Sequence, residues 1–228
     1  MRSNVNEGFL AKRTRWARIL SFAGLGCLVA SAALMNRMLI LSWGVLVAGL
    51  LVSSSGAYLA ARYVREPTAQ WALEKTLKGF DDRHVLYNYL LPVEHVFVTP
   101  SGVWVIRIKK QPGHFSYAGK KWRQKFTLSR LLSFLGEPSL GNPIRDVERD
   151  IATLSEKLAQ EIPDVELPTD SVVVFTDPRA NVNVTHTSWP VITHENLKSF
   201  FRRALADKPS LPPKIQKELT RVFDEWAS

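Results

Sequence analysis

Residues 92–110 read PVEHVFVTPSGVWVIRIKK and predict the central elements of the fold. Apolar residues alternate on both sides of the Pro-Ser-Gly sequence at 100–102, which is typical of two strands joined by a tight turn. A four-residue loop over Thr99–Gly102 that ends in a left-handed glycine places Glu94 directly opposite Arg107. The sequence therefore predicts an antiparallel hairpin with a defined register.

The surrounding sequence alternates between helical and strand patterns. Apolar residues recur at helical spacing in several segments, and short apolar runs bounded by turn residues predict strands. The predicted helices are 69–77, 143–160, 194–206 and 212–226, and the predicted strands are 85–91, 93–99, 103–109, 115–117, 122–126, 171–176 and 190–192. We therefore predict an α/β domain over residues 66–228, large enough to bury one core.

Upstream of this domain lie two long apolar runs. Ile19–Met35 is a run of 17 uncharged residues and Met38–Ala61 a run of 24, separated by Asn36 and Arg37. About 20 helical residues cross a hydrocarbon core. We therefore predict that residues 1–65 form a basic segment and two transmembrane helices, at about 17–35 and 38–61.

The basic residues that flank these runs predict their orientation. Lys and Arg collect on the cytoplasmic side of a membrane protein. Residues 12–18 carry four just before the first run, two follow the second run, and one lies in the turn: Lys12, Arg13, Arg15, Arg18, Arg62, Arg65 and Arg37. We expect a multi-pass protein of the cell (inner) membrane whose N-terminus and C-terminal domain are both cytoplasmic.

Two other interpretations of the apolar runs remain open. The first run resembles a signal peptide with a small-residue cleavage site at Ala30-Ser31-Ala32. Alternatively, both runs form a buried helical hairpin in a soluble protein.

Composition excludes several classes of protein. The single cysteine, Cys27, excludes a disulfide-stapled scaffold and a Cys-rich zinc module. The net charge is +9, but residues 1–65 contain eight Lys or Arg and one acid, so that +7 lies there and +2 in residues 66–228. Most of the positive charge therefore flanks apolar runs and gives no evidence of nucleic-acid binding.

The hairpin sequence resembles the nuclease-related domain, NERD, a branch of the restriction-endonuclease-like nucleases. The resemblance rests on Glu94-His95-Val96, on the Pro-x-Gly turn and on the strand that ends at Lys109. It extends to a helix acid, Glu74, to Asn142-Pro143 and to the strand at 172–177. It implies a restriction-endonuclease-like mixed sheet flanked by helices. It also implies two carboxylates that hold Mg²⁺ and a lysine that positions or deprotonates the attacking water.

The chain departs from this family pattern at its charged positions. Glu94 stands where an Asp is expected, Arg107 where the Glu of Glu-x-Lys is expected, and Asp146 where a Gln is often found. A guanidinium stays protonated and cannot bind Mg²⁺. We therefore predict a degenerate centre with Glu74, Glu94 and Lys109 as remnants, an ion pair between Glu94 and Arg107, and no metal or cofactor.

An active enzyme is the alternative to this degenerate centre. Asp146, Glu148 or Asp150 on the following helix can supply the missing carboxylate. The chain would then be an Mg²⁺-dependent nuclease that hydrolyses phosphodiester bonds.

A basic strip follows the hairpin. Residues 96–136 contain no acid, and aromatic residues alternate with its bases, a pattern that suits phosphate contacts and base stacking. Beyond Arg107 and Lys109, the candidate binding residues are Lys110, Lys120, Lys121, Arg123, Lys125 and Arg130. An ordinary solvated surface and contact with anionic lipid head groups are the alternatives. The expected role is a binding module at the lipid bilayer, for nucleic acid or for a protein that the sequence does not identify.

Overall fold

The computed structural model describes residues 1–118, 121–124, 140–163, 167–184 and 187–227. Within these ranges the chain divides into two compact units. One comprises Met1–Asn6 together with the described residues from Ala69 onward. The other comprises Glu7–Thr68, the segment with the two apolar runs.

The first unit alternates strands and helices, as the sequence predicts. Its strands are β1 (Arg2–Val5), β2 (Val85–Asn88), β3 (His95–Thr99), β4 (Gly102–Lys109), β5 (Gly113–Ala118), β6 (Lys121–Gln124), β7 (Thr169–Phe175), β8 (Ala180–Val184) and β9 (Val191–Thr193). Its helices are α3 (Ala69–Leu77), α4 (Pro143–Glu161), α5 (His194–Ala206) and α6 (Pro213–Ala227). Strand β2 is shorter than predicted, because Tyr89 has a left-handed φ of 60°.

The main sheet is mixed. Its order is β1-β2-β3-β4-β7-β9, in which β2, β3 and β4 are antiparallel neighbours and the other pairs are parallel. A smaller sheet has the order β6-β5-β8. The predicted α/β class, with a mixed sheet flanked by helices, is confirmed.

Side chains point alternately to the two faces of each strand. Apolar side chains therefore lie on both faces of the main sheet, and helices cover both faces. On one face, Phe97 and Trp104 pack with Leu73 of α3 and Phe201 of α5. On the opposite face, the buried residues include ones from β3, β4, α4 and α6: Val96, Val98, Val103, Val105, Leu154, Leu158, Leu219, Val222 and Phe223. The second face also carries Arg107, two residues beyond Val105.

The β3–β4 turn fixes the position of these charged residues. Gly102 has a φ of +142°, and a Cβ added there would lie 2.5 Å from the carbonyl oxygen of Pro168. Both conformation and space therefore require glycine. The hydroxyl of Thr99 donates to the carbonyl of Gly102 at 2.9 Å and closes the turn.

Strand β1 is an element that the sequence analysis did not predict. It lies at the edge of the main sheet, and Ser3 pairs with Leu86 in a parallel ladder. The Arg2 guanidinium forms two bonds with the Asp224 carboxylate of α6, at 2.7 and 2.8 Å. Residues assigned from sequence to a basic N-terminal segment therefore belong to the same compact unit as the α/β domain.

The second unit is a pair of helices, α1 (Glu7–Leu34) and α2 (Leu39–Tyr63), which cover the two apolar runs, and α1 begins ten residues before the predicted span. Their contact is lined by small residues. Cβ atoms added at Gly24 and Gly56 would lie within 2.6 Å of backbone atoms of the opposite helix. Ser31 and Ser42 each donate to the carbonyl of the other, at 3.1 and 2.8 Å.

The outer surface of this helix pair is apolar and exposed. Phe22 is 72% exposed and Ile40 is 89% exposed. Within the described residues, these two helices are long and apolar enough to span a membrane. A helix pair buried in the core of a soluble protein would not expose apolar side chains to this extent.

Candidate functional site

The candidate site is built on the end of β4. Arg107 and Lys109 lie two residues apart and therefore project from the same face of the strand. They face the layer that contains α4. Lys109 is 7% exposed, an unusual environment for an ammonium group.

Helix α4 brings two carboxylates to this face. The side chain of Asn142 accepts a bond from the Arg145 amide at 3.3 Å, and Pro143 occupies the first turn, so the helix starts at a defined residue. Asp146 and Asp150 are four residues apart and lie on one side of the helix. Glu148 is exposed on another side. Two of the three residues predicted to be able to supply the missing carboxylate therefore reach the site.

The charged groups at the site are engaged in direct bonds. The Lys109 ammonium lies 2.9 Å from Oδ2 of Asp146 and donates to the carbonyl of Leu140 at 2.8 Å. The Arg107 guanidinium bonds Oδ2 of Asp150 at 2.9 Å and approaches Asp146 at 4.0 Å. The two cations are thus fixed on the two carboxylates of α4.

The predicted strand register is confirmed, but the ion-pair partner of Arg107 differs from the prediction. Val96 pairs with Val105, the spacing that directs Glu94 toward Arg107. Glu94 precedes β3, and α4 packs over this face, so the close ion pair of Arg107 is with Asp150. The Glu94 carboxylate is close enough to Asp150 to act on its pKa.

Asp150 has an altered proton affinity. Burial raises the pKa of its carboxyl above the ordinary value of 3.8, and the charges of Glu94 and Asp146 raise it further. The Arg107 guanidinium acts in the opposite direction without cancelling the shift. Three carboxylates and two cations therefore form one interacting cluster.

Glu74 lies apart from this cluster. It belongs to α3, which packs on the opposite face of the sheet, and it accepts a bond from the Ser3 hydroxyl at 2.6 Å. Asn88 donates to the same hydroxyl at 3.4 Å and bonds His95 at 2.8 Å. The predicted remnant acid therefore links α3 to the edge strand β1, a contact that sequence reasoning missed along with β1.

The residues of the basic strip are only partly described. Arg123 is exposed on β6, and Lys110 is half-buried just after β4. Lys121 begins β6. Lys120, Lys125 and Arg130 lie outside the described residues, so the strip remains a prediction.

The cluster does not fit a magnesium ion. Mg²⁺ needs free carboxylate oxygens in an octahedral arrangement. Here an ammonium and a guanidinium occupy the carboxylates of Asp146 and Asp150, and both would repel a cation. Within the described residues, no group of three or more His, Cys, Asp and Glu side chains is arranged to hold a metal ion.

Comparison with known proteins gives one match. A family model described as NERD, nuclease-related domain, matches residues 62–176. That range contains Glu74, Glu94, Arg107, Lys109 and Asp146. Searches of curated proteins and of solved structures gave no significant match.

Proposed function

Because this chain belongs to the nuclease-related domain (NERD) family, we propose that it is a membrane-anchored NERD protein with a closed nuclease centre. By a closed centre we mean one whose carboxylates are occupied by Arg107 and Lys109 and so do not bind a metal ion. The protein acts by binding and not by cleavage. The observation that carries this proposal is the pair of short contacts from Arg107 to Asp150 and from Lys109 to Asp146.

The energetics of these contacts support a closed centre. Arg107 remains protonated at any ordinary pH, so it does not release Asp150 by losing its proton. Separating a buried ion pair leaves an uncompensated charge and costs about 3–5 kcal/mol. A metal ion would have to break both pairs before it could bind.

The position of β1 supports the proposed anchor. Met1–Asn6 belongs to the same compact unit as the domain that follows the helix pair. Two spans return the chain to the side from which it entered, so a transmembrane α1–α2 pair satisfies this arrangement. Cleavage near Ala32 would remove β1 from the sheet. The basic flanks support a cytoplasmic position for both ends.

Nucleic acid is the ligand that we propose for the basic strip. Arg107 and Lys109 are held by α4, so the binding residues would be Lys110, Lys120, Lys121, Arg123, Lys125 and Arg130. Phosphate contacts of this kind weaken as salt concentration rises.

A cleavage assay on the full chain tests the closed centre. The protein, reconstituted in neutral-lipid nanodiscs, is incubated with plasmid DNA and Mg²⁺ or Mn²⁺. We expect no cleavage. Metal-dependent cleavage by the wild-type chain that disappears in Lys109→Ala would contradict the proposal and support an active nuclease with a rearranged carboxylate.

A substitution at Arg107 tests the same centre by metal binding. Arg107→Glu removes the guanidinium and adds an oxygen ligand, and we expect it to create Mn²⁺ binding that calorimetry detects. Arg123→Glu is the control, since it makes the same charge change at an exposed strand position. Equal Mn²⁺ binding by wild type and Arg107→Glu would show that Arg107 does not close the site.

A binding assay tests the ligand. Binding of an uncleaved DNA duplex to the nanodisc-held chain should weaken steeply as NaCl concentration rises. Arg123→Glu should weaken it, whereas the exposed Glu148→Gln should not. Absence of DNA binding at low salt would contradict this part of the proposal.

A further inference from the structure

The outer side of α3 carries an unusual combination of side chains. Trp71 and Lys75 lie one turn apart on α3, Lys78 directly follows the end of the helix, and all three are exposed. The Lys75 ammonium lies over the Trp71 ring, 4.6 Å from its centroid. Lys198 of α5 extends this surface, because its ammonium donates to the carbonyl of Lys78 at 2.5 Å. We call these four residues the α3 ridge.

Trp71 stands out among the large apolar residues. It is 51% exposed, and within the described residues every other exposed large hydrophobic side chain belongs to the α1–α2 segment or its turn. The buried side of α3, with Leu73 and Leu77, already packs in the core. The exposed ring of Trp71 is therefore not used for packing in the core of the domain.

The charge of the ridge favours an anionic partner. The ridge contains three lysines, one of which lies over the tryptophan ring. The nearest acid on α3, Glu74, is turned toward β1 and bonded to Ser3, and Glu195 is an exposed acid one turn before Lys198. Tryptophan is enriched at the level of lipid head groups, where its ring is apolar and its N–H is hydrated. Lysines beside it attract anionic phospholipids.

The connection to the helix pair favours a lipid surface over other anions. Helix α2 ends at Tyr63, and Trp71 follows eight residues later. Even a fully extended segment of that length spans only about 27 Å. If α2 crosses a bilayer, Trp71 stays close to its surface, where a weak contact is strengthened by the tether.

We propose that the α3 ridge docks on the anionic phospholipid head groups of the membrane in which the chain is anchored. Trp71 inserts at head-group level, and Lys75, Lys78 and Lys198 contact lipid phosphates. This inference rests on the membrane anchoring proposed above. It does not depend on whether the nuclease centre is closed.

Quenching by brominated lipids tests this docking. The full chain is reconstituted in vesicles of phosphatidylcholine with or without 30% phosphatidylglycerol, each with brominated or ordinary acyl chains. The difference in fluorescence between wild type and Trp71→Phe isolates the emission of Trp71. We expect brominated lipid to quench this emission in anionic vesicles, and 1 M NaCl or neutral vesicles to relieve the quenching.

Paired substitutions identify the lysines that act. A double variant, Lys75→Gln/Lys78→Gln, is made with and without Trp71→Phe. It should weaken docking of the ridge on the lipid by about 25-fold, since each basic residue contributes about fivefold. Lys214→Gln/Lys217→Gln makes the same charge change at exposed positions of α6 and should leave the quenching of Trp71 unchanged.

Four outcomes would overturn the inference. If the chain fails to float with neutral vesicles, the anchoring fails and the docking fails with it. If the chain floats but Trp71 is quenched equally with and without anionic lipid, or equally in both lysine pairs, the docking alone fails. If a DNA duplex protects Trp71 from quenching by aqueous acrylamide while brominated lipid has no effect, the ridge binds nucleic acid and not lipid.

Discussion

At the residue scale, the proposed function depends most on Arg107. Its position on β4 follows from the alternation of the strand and from the Gly102 turn. At this point the NERD resemblance leads one to expect a carboxylate that binds a metal ion. The guanidinium instead bonds Asp150, so the residue at this position neutralises a carboxylate.

The pair formed by Lys109 and Asp146 gives a stability prediction. Asp146→Ala leaves the buried ammonium with the Leu140 carbonyl as its closest remaining acceptor. We expect the free energy of unfolding of the domain to fall by about 3–5 kcal/mol, measured from urea midpoints by tryptophan fluorescence in detergent micelles. Glu148→Ala on the same helix is exposed and should change it by less than about 0.5 kcal/mol.

A double substitution separates charge from packing at this pair. Lys109→Met/Asp146→Leu removes both charges and keeps similar volumes. We expect it to be more stable than Asp146→Ala, because no unpaired charge stays buried. Equal losses in the two variants would show that packing, and not the ion pair, determines the stability at this position.

Asp150 gives a prediction about pH. Its folded-state pKa is raised above 3.8, chiefly by burial, so the folded chain binds a proton more readily than the unfolded chain. Its contribution to stability therefore falls as pH rises from about 3.8 through the raised pKa. The stability of wild type relative to Asp150→Asn should decline over this range in urea titrations at several pH values. A constant difference would show that the pKa of Asp150 is not shifted.

The sequence predicts the strand side of the site better than the helix side. The register of β3 and β4 follows from alternating apolar residues and a turn of known type, both local signals. Asp150 comes 43 residues after Arg107 in the chain, and its approach depends on how α4 packs on the sheet. Local patterns carry no information about that packing, so Asp150 was one of several candidate carboxylates.

At the element scale, β1 shows why a short strand is hard to predict. Arg2–Val5 has one apolar residue and gives no alternating pattern. Its partner, β2, is 83 residues further along the chain and separated from it by two long helices. The strand forms because it pairs with an existing sheet edge, which is a tertiary effect.

The contact between α1 and α2 gives a prediction about glycine. A Cβ at Gly24 would lie 2.5 Å from the backbone nitrogen of Ser53, whereas nothing lies within 4 Å of a Cβ at Gly26. Gly24→Leu should therefore separate the helices at a cost of about 1–3 kcal/mol, and Gly26→Leu should not.

Cysteine cross-linking measures this separation. Ser31 and Ser42 have hydroxyl oxygens 3.4 Å apart, so Ser31→Cys/Ser42→Cys in a Cys27→Ala background should form a disulfide rapidly with an oxidant. We expect Gly24→Leu to slow the cross-link and Gly26→Leu to leave its rate unchanged. Equal rates in the two variants would mean that the helices do not meet at Gly24.

At the scale of the whole molecule, the helix pair interrupts the domain. The chain completes one strand of the sheet, passes through α1 and α2, and then supplies the rest of the same unit. A fragment that starts at residue 66 therefore lacks β1, together with the Arg2 bonds to Asp224 and the Ser3 bond to Glu74. Replacing residues 7–65 with a flexible linker of about 20 residues removes the helices and keeps β1.

These two shortened chains should differ in stability. We expect the linked chain to exceed the fragment by at least about 2 kcal/mol in free energy of unfolding, because β1 adds backbone and side-chain hydrogen bonds. Hydrogen exchange at β2, including the fully buried Leu86 and Tyr87, should be slower in the linked chain.

Proline substitutions in the linked chain then test the backbone hydrogen bonds between β1 and β2. The amides of Arg2 and Asn6 donate toward β2, so by alternation that of Asn4 does too, whereas that of Val5 faces outward. Asn4→Pro should reduce the stability to that of the fragment, and Val5→Pro should have a smaller effect, since an edge strand tolerates proline where the amide faces solvent. Equal losses in the two variants would mean that β1 is held by its side chains and not by the parallel ladder.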